Sequence, residues 1–297
     1  MDRLEAMSVI IAVTETGSFS AASRRLNIPV ATVSRTVAEL ESRLAAQLFQ
    51  RSSRRTALTD AGRSYIDACK RIVEQVEEAE REVSGEYRIP KGDLAVTSPW
   101  GLGHMHLLPI ALGFMDAFPE IALRLVMTDR IVDAVEENID VSVRIGNLPD
   151  SNMIAARVGS VRFVLCASPG YVAKHGEPKA PGDLAAHDCI GVDGLATQRV
   201  WKFVIDGREV AVPIRSRLTV SDSEAAIEAA VAGAGITRVM SYKMEAARRA
   251  GKLVLMLDQF EQAPWPVHVV YQERKPMPLK LRAFIDWVVP RLKAQLA

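Results

Sequence analysis

The chain has 297 residues, 48% of them hydrophobic and 25% charged, which is typical of a soluble globular protein with room for two or more domains. Its formal net charge is only +1, so total charge does not by itself indicate nucleic-acid binding. Three isolated cysteines match no metal or redox spacing, and the N-terminus lacks the basic start and cleavage site of a signal peptide. No stretch approaches the about 20 apolar residues of a membrane span. We therefore expect a cytoplasmic protein with no membrane contact.

The first predicted helix runs from about Arg3 to Thr16, and Gly17 is suited to end it. Its apolar residues recur at helical spacing and form one face, which consists of Leu4, Met7, Ile10, Ile11 and Val13. Together with the next two helices, this face is expected to build a small trihelical core.

Two short helices joined by a tight turn are predicted from Ser18 onward. Ser20 can cap the first of them, because its side-chain oxygen can accept a hydrogen bond from an unpaired N–H of the opening turn. Its inward-facing residues are Ala21, Ala22 and Leu26. Asn27 and Pro29 interrupt the helix, since Asn tolerates turn geometry and Pro disfavours the α region in the residue before it.

The second of these helices begins at about Pro29, whose missing N–H is not needed in a first turn. The spacing predicts a buried stripe formed by Val33, Val37, Leu40 and Leu44. The residues left on or near the outer face are Thr32, Ser34, Arg35 and Thr36. Small hydroxyl groups and one arginine near the start of a second helix are typical of a recognition helix that enters a DNA major groove.

A short basic segment follows the predicted recognition helix. It comes after the apolar pair Leu48-Phe49 and consists of Arg51, Ser52, Ser53, Arg54 and Arg55. Residues 1–59 contain eight arginines against five acidic residues, so the positive excess falls in this part of the chain. Beside a recognition helix, the segment is expected to act as a wing that contacts phosphates. An isolated segment of this kind would also fit a solvated turn.

A long charged helix is predicted from Thr59 to about Ser84, and Thr59 or Asp60 can cap it. Apolar positions alternate in steps of four and three, and they comprise Tyr65, Cys69, Ile72, Val76, Ala79 and Val83. Such a heptad seam favours a partner helix, so we predict that two copies pair here and space two recognition helices. The alternative is that this face packs on the body of its own chain.

The remaining sequence alternates between predicted strands and helices. Lobe I is expected to contain strands near 94–97, 123–127 and 140–145, with helices near 108–118 and 131–137, a pattern typical of a doubly wound α/β domain with a parallel sheet. The chain is expected to cross into lobe II around 154–158 and 161–167. Lobe II is then expected to contain strands near 189–192 and 216–220, helices near 169–175 and 223–232, and a hairpin through Asp206-Gly207. Strands near 253–257 and 267–271 and a final helix near 278–296 return to lobe I. Two lobes joined by two crossings indicate a hinged small-molecule-binding domain.

Ligands of open α/β sheets bind beyond the carboxyl ends of strands, where helix N-termini present unpaired N–H groups. The candidate residues at these ends are Ser98, Pro99, Trp100, Thr128, Arg144, Gly146, Ser221 and Ser223. Hydroxyls, N–H groups and one arginine favour a small anion, and we expect a carboxylate. Each residue also has a structural alternative, since Ser98 and Ser223 fit helix caps, Trp100 fits a core and Arg144 fits an internal ion pair.

No catalytic constellation is predicted. His187, Asp188 and Cys189 are adjacent on a strand, so their side chains point to opposite faces and cannot form a relay. The segment Gly233-Ala234-Gly235 lacks the surrounding dinucleotide-binding pattern. His104 and His106 are expected in a loop without a third metal ligand. We therefore expect neither enzymatic activity, nor a cofactor, nor a bound metal.

Five motifs in order carry a family resemblance. They are A-A-S-x-x-L at 21–26, A-T-V-S-R at 31–35, L-E-x-x-L at 40–44, L-F-x-R at 48–51 and A-L-T-D-A-G at 57–62. In this order they resemble the LysR-type transcriptional regulators, and a weaker pattern extends over nearly the whole chain. Two departures stand out, because Ala45 replaces a frequent glycine and Pro29-Val30 replaces a frequent Ser-Gln pair. Base contacts from those two positions are therefore not assumed.

The resemblance implies an all-α winged helix-turn-helix domain at residues 1–59 and a long linker helix for dimerisation, with a hinge, at 60–87. It also implies a two-lobed α/β effector domain, similar to periplasmic binding proteins, at 88–297, with lobe I at about 88–160 and 265–297 and lobe II at about 161–264. The implied partners are double-stranded DNA, a small-molecule effector, a second or further copies of the chain in a dimer or tetramer, and RNA polymerase as an additional candidate. The alternative is a small-molecule-binding protein or enzyme whose N-terminal region serves only dimerisation.

Overall fold

The computed structural model describes residues 2–50, 56–84, 89–130, 137–149, 152–193, 200–273 and 277–296, with the backbone alone for residues 74, 77–79 and 81–84. The chain divides into two compact units, Met1–Ile89 and Pro90–Ala297. No helix in the described ranges is long and apolar enough to cross a membrane.

The N-terminal unit contains four helices, which are α1 (Arg3–Thr16), α2 (Phe19–Leu26), α3 (Val30–Leu44) and α4 (Asp60–Ser84). Gly17 ends α1 in the left-handed region with φ +71°, as the sequence predicts. The prediction that Ser20 caps α2 is wrong, because the cap is Ser18, whose hydroxyl accepts a hydrogen bond from the N–H of Ala21 at 3.2 Å. Ser18 lies outside the helix in extended conformation, as a cap must.

One apolar cluster holds α1 to α4 together, and its buried members include Ile10, Val13, Ala22, Val33, Val37, Leu40, Leu48, Phe49, Ile66 and Cys69. Two predictions for α3 are wrong. Leu44 is 37% exposed because it lies in the last turn, beyond the reach of α1, whereas Thr36 is only 8% exposed beside Val37. Tyr65 and Cys69 of α4 also pack in this cluster, so that end of the heptad seam contacts its own domain.

The first sheet of the C-terminal unit has five strands in the order β2-β1-β3-β12-β4. Their bounds are β1 (Gly92–Ser98), β2 (Ile121–Met127), β3 (Val141–Ile145), β4 (Met153–Val161) and β12 (Trp265–Gln272). The pairs β1–β2 and β1–β3 are parallel, whereas β12 is antiparallel to both β3 and β4. The predicted parallel sheet is therefore confirmed for β1, β2 and β3, whereas β12 is antiparallel because the chain returns from the other lobe in the opposite direction.

Helices cover lobe I at the end of β1. A helical stretch begins with α5 (Trp100–Leu102), continues through a π-helical turn (Gly103–Leu107) and ends as α6 (Leu108–Ala117). His104 and His106 are thus helical and not in a loop, a correction that follows from Pro99, which serves as the extended cap of this stretch. The C-terminal α10 (Leu279–Leu296) packs on the same layer, where Phe114 meets Phe284 edge-on at 5.1 Å.

The second sheet has the order β11-β5-β10-β6-β9 and forms lobe II. Its strands are β5 (Phe163–Ala167), β6 (Cys189–Val192), β9 (Ser216–Val220), β10 (Ile236–Met240) and β11 (Val254–Met256). A hairpin of β7 (Val200–Ile205) and β8 (Arg208–Pro213) turns at Asp206-Gly207 with positive φ at both residues, as predicted. Its helices are α7 (Pro169–His175), α8 (Ser223–Val231) and α9 (Ser241–Arg249), with short 3₁₀ turns at Pro181–Ala186 and Asp258–Phe260.

The predicted elements at Pro169–His175, Cys189–Val192 and Ser216–Val220 are confirmed residue for residue. The sequence reasoning missed β10 and α9, because a glycine-rich run at 233–235 hid the buried strand that follows it. The helix predicted at Ile131–Glu137 falls on residues 131–136, which lie outside the described part of the chain, together with Glu137 in a turn.

Candidate DNA interface and ligand cleft

The outward face of α3 presents Ser34 and Arg35, both exposed, and Thr32, which is half-buried. Arg35 is only loosely tied, since its Nε lies 3.8 Å from a carboxylate oxygen of Glu39 and both side chains are more than half exposed. Such a pair contributes little energy, so the guanidinium is free to reach another acceptor. Thr36 was predicted on or near this face, but its side chain is only 8% exposed.

The turn between α2 and α3 is fixed by backbone bonds. Asn27 adopts φ +54°, and the N–H groups of Asn27 and Ile28 bond to the carbonyls of Arg24 and Ser23. The Ser23 hydroxyl donates to the Ile28 carbonyl at 2.6 Å. These bonds close the end of α2 and set its angle to α3, which is what a helix-turn-helix requires. Ser20 lies exposed on α2.

An antiparallel ladder follows α3 on both sides of the basic segment. Phe49 pairs with Leu58, the N–H of Gln50 donates to the carbonyl of Ala57 at 2.7 Å, and Thr59 donates to Leu48 at 3.0 Å. The predicted wing would begin at this ladder. The basic residues that it would present, Arg51, Ser52, Ser53, Arg54 and Arg55, lie outside the described residues.

Glu41 joins this ladder to α3, a role that the sequence analysis missed. One carboxylate oxygen of Glu41 accepts hydrogen bonds from the N–H groups of Leu48 at 2.7 Å and Phe49 at 3.1 Å. Glu41 is half-buried on the flank of the apolar stripe. A negative side chain beside a buried stripe was the available signal, because such a group needs a donor.

The N-terminal turns of α4 belong to the DNA-binding unit. Thr59 caps the helix as predicted, since its hydroxyl accepts from the N–H of Gly62 at 2.9 Å. Farther along the seam, Ile72 is 39% exposed and Val76 is half-buried. The side chains of Ala79 and Val83 lie outside the described part of the chain.

In lobe I, the predicted strand-end residues surround the start of α5. Ser98 is buried and accepts the N–H of Thr128 on its carbonyl at 3.0 Å, whereas Pro99 is half-buried and Trp100 is exposed. The N–H of Trp100 donates to the carboxylate of Asp129 at 2.9 Å. The anion contact predicted for this helix start is therefore occupied by a side-chain carboxylate of the protein itself.

Arg144 and Gly146 lie at the same edge of the sheet but nearer the crossings. Arg144 is half-buried opposite His268 on β12, and burial lowers its pKa from the ordinary value. Gly146 is buried with φ +105°, and a Cβ there would lie 3.3 Å from the ring of Trp265. Gly146 thus serves close packing and offers no open surface to a ligand.

The start of α8 supplies the lobe II residues of the predicted ligand cleft. Its cap is Asp222, whose carboxylate accepts the N–H of Ala225 at 2.9 Å, so the alternative of Ser223 as a simple cap is wrong. Ser223 instead receives a hydrogen bond from the ammonium group of Lys243. Ser221 is exposed just before the helix.

Lys243 joins the two lobes, and the sequence analysis missed it because it lies on the unpredicted α9. Its side chain is only 8% exposed, and Nζ lies 3.5 Å from a carboxylate oxygen of Glu224 in lobe II. A Cβ at Gly101 in lobe I would lie 2.3 Å from its Cε, so the lysine stem lies directly on α5. The neighbouring Tyr242 is half-buried and meets His106 edge-on at 5.6 Å. Burial raises the pKa of the Tyr242 phenol, and the negative charges of Asp129 and Glu224 raise it further.

The groups that looked reactive in the sequence are structural. The Nδ1 atom of His187 lies 3.3 Å from the Tyr171 hydroxyl, and Asp188 is paired with Arg217 at 3.0 Å. Burial raises the pKa of the Cys189 thiol to about 12, which keeps it protonated and unreactive. In the described ranges, no group of three or more His, Cys, Asp or Glu residues is arranged to hold a metal.

Family comparisons cover nearly the whole chain. Residues 4–63 match a family described as "Bacterial regulatory helix-turn-helix protein, lysR family", and residues 88–293 match one described as "LysR substrate binding domain". The HTH-type transcriptional regulator CrgA of Neisseria meningitidis serogroup B is 32% identical over 97% of this chain and 96% of its own length. The HTH-type transcriptional activator AaeR of Escherichia coli K12 is 29% identical over 96% of this chain and 93% of its own length.

Solved structures give the same picture. The structure of CrgA, described as a LysR-type transcriptional regulator from Neisseria meningitidis, superposes with a TM-score of 0.62 at 32% identity, covering 97% of this chain and 98% of that one. The full-length Vibrio cholerae virulence activator AphB superposes with a TM-score of 0.63 at 28% identity, covering 97% and 99%. Both relatives span the two units of the present chain.

Proposed function

The chain belongs to the LysR family of DNA-binding transcriptional regulators, which are not enzymes, and we propose that it reads operator DNA with α3 and the wing. We also propose that it senses a small carboxylate between the lobes of its effector domain. In this proposal Thr32, Ser34 and Arg35 reach base edges or nearby backbone. The phosphate contacts come from Ser20 and from the wing residues Arg51, Ser52, Ser53, Arg54 and Arg55. A cytoplasmic location and RNA polymerase as a partner belong to the same proposal.

The DNA-binding part is tested first with the full chain and duplexes from its own upstream region. Preferential binding over a random duplex of equal length, weakening as salt rises, is the expected result. Arg35→Ala should reduce affinity for the preferred duplex by about 5- to 150-fold if Arg35 reads a base. Arg249→Ala, an exposed arginine of the effector domain, is the matched control. An equal loss on all duplexes would make Arg35 a phosphate contact instead.

The carboxylate proposal depends on the buried charge of Lys243. Its partner Glu224 is half exposed, so a carboxylate ligand entering from the cleft replaces one carboxylate with another at little cost. The hydroxyls of Ser221, Ser223 and Thr128 and the guanidinium of Arg144 lie on the elements that border this cleft and supply further donors. Pro99 and Trp100 are proposed to contribute apolar contact at its rim.

Calorimetric titration of the full chain with a panel of small mono- and dicarboxylates tests this proposal. We expect one class to bind, Glu224→Gln to bind it more tightly because the competing charge is removed, and Lys243→Met to lose it. Lys252→Met, which removes an exposed lysine of the same lobe, should bind like the wild type. Carboxylate binding that is unchanged in Lys243→Met would refute the proposed role of Lys243.

We also propose that α4 pairs with a second copy beyond the point where it leaves its own domain. The support is Ile72, whose side chain is 39% exposed on the heptad seam after Tyr65 and Cys69 have turned inward. Charged substitutions at Ile72 and Val76 should then convert dimers to monomers in sedimentation velocity. Arg71→Asp on the solvent side of α4 is the control, and dimers that persist in the seam variant would refute pairing through this helix.

A further inference from the structure

The outward strip of α3 carries exposed apolar side chains beside its polar ones. Val30 is 42% exposed, and Ala31 and Ala38 are exposed on the same side of the helix as Ser34 and Arg35. These positions lie opposite the buried stripe that begins at Val33, because residues three, four and seven apart share a helix face. Exposed apolar side chains therefore lie beside the residues proposed to contact bases.

Among the described residues, Val30 takes no part in the apolar packing of its domain. It lies outside the buried cluster of its domain and the partly buried residues that pack against it. It occupies the first helical position after Pro29, which makes no side-chain cap bond, and a β-branched residue there brings no gain in helix propensity. An exposed branched side chain at the start of this helix is consistent with an apolar partner that binds there.

The only apolar group that the major groove displays on a base edge is the 5-methyl group of thymine, and alanine-like and other small apolar side chains are suited to contact it. We propose that Val30, together with Ala31, contacts thymine methyl groups in each operator half-site and thereby determines part of the sequence preference. This inference rests on the proposed placement of α3 in the major groove. Burial of one methyl group between such surfaces corresponds to roughly a four-fold gain in affinity.

Replacement of thymine by deoxyuridine tests the proposal, because it removes the methyl group and preserves the base pair. A preferred duplex is first selected from a randomised duplex library with the full-length protein. Each thymine is then replaced in turn, and affinity is measured by fluorescence anisotropy at one salt concentration. The wild type should lose roughly four-fold affinity at one or two positions in each half-site. Val30→Ser should lose this sensitivity at one of them, whereas Val30→Ile should keep it.

Val210→Ser provides the matched control, since Val210 is a 36% exposed valine on β8 of the effector domain. It should respond to deoxyuridine like the wild type. Selective binding that is indifferent to deoxyuridine at every position would overturn this inference alone. The same profile in Val30→Ser and the wild type would also overturn it. Failure to bind any duplex in a salt-dependent manner would overturn the proposed function, and this inference with it.

Discussion

Replacement of Glu41 by alanine should detach the base of the wing from the recognition helix. One charged oxygen of Glu41 accepts two backbone hydrogen bonds, from Leu48 and Phe49, at a part-buried position. Removal of the carboxylate deprives both N–H groups of their hydrogen-bond acceptor. Because these hydrogen bonds involve a charged group, their loss should destabilise the local structure by about 2–3 kcal/mol. Amide exchange of a peptide that contains Leu48 and Phe49 should therefore accelerate by roughly 30- to 150-fold if it proceeds by local opening.

The same variant should weaken DNA binding through the wing. If Arg51, Arg54 and Arg55 each neutralise a phosphate, losing their position makes the slope of log affinity against log salt shallower by up to about 2.7. Glu41→Gln keeps a neutral acceptor and should show a smaller effect of about 1 kcal/mol. Glu39→Ala, an exposed glutamate of α3 with only the loose Arg35 pair, should leave exchange unchanged. Wild-type exchange in Glu41→Ala would refute the reasoning.

Three further predictions concern the effector domain. A Cβ at Gly235 would lie 2.3 Å from the carbonyl oxygen of Asp188. Gly235→Ala should therefore lower the free energy of unfolding, measured by urea titration, by more than about 2 kcal/mol. Gly182→Ala, where no atom lies within 4 Å of the added Cβ, should be close to neutral in the same assay. Phe114→Ala empties a fully buried aromatic site and should cost about 3–5 kcal/mol in the same assay. Burial lowers the pKa of His187 below its usual 6.5. Neutral His187 therefore stabilises the folded state above about pH 6.5, and this contribution is lost as pH falls through the lowered pKa. His187→Gln should accordingly reduce the difference between the urea midpoints at pH 7 and pH 5.

Local patterns in the sequence were sufficient for most elements and for the helix-turn-helix. Helix α1 ends at Gly17 and the hairpin turns at Asp206-Gly207, because both features depend on backbone preferences of the residues themselves. The Ser18 cap was misassigned by two residues, since two serines with the same chemistry stand in the same turn. Element boundaries at this scale depend on which residue leaves the helix, which spacing does not specify.

Side-chain placement between distant segments was decided only by the tertiary structure. Lys243 meets Ser223 and Gly101 because two lobes bring three separate parts of the chain together, and no periodicity links those positions. Glu41 and the ladder from Leu48 to Thr59 became visible in the same way. Thr36 turned inward although its spacing allowed either face, because burial depends on what packs opposite. The sequence by itself therefore determined most of the elements and the family, since these follow from local preferences and ordered motifs. Packing determined which polar side chains meet, because that is set by contacts between residues far apart in the chain.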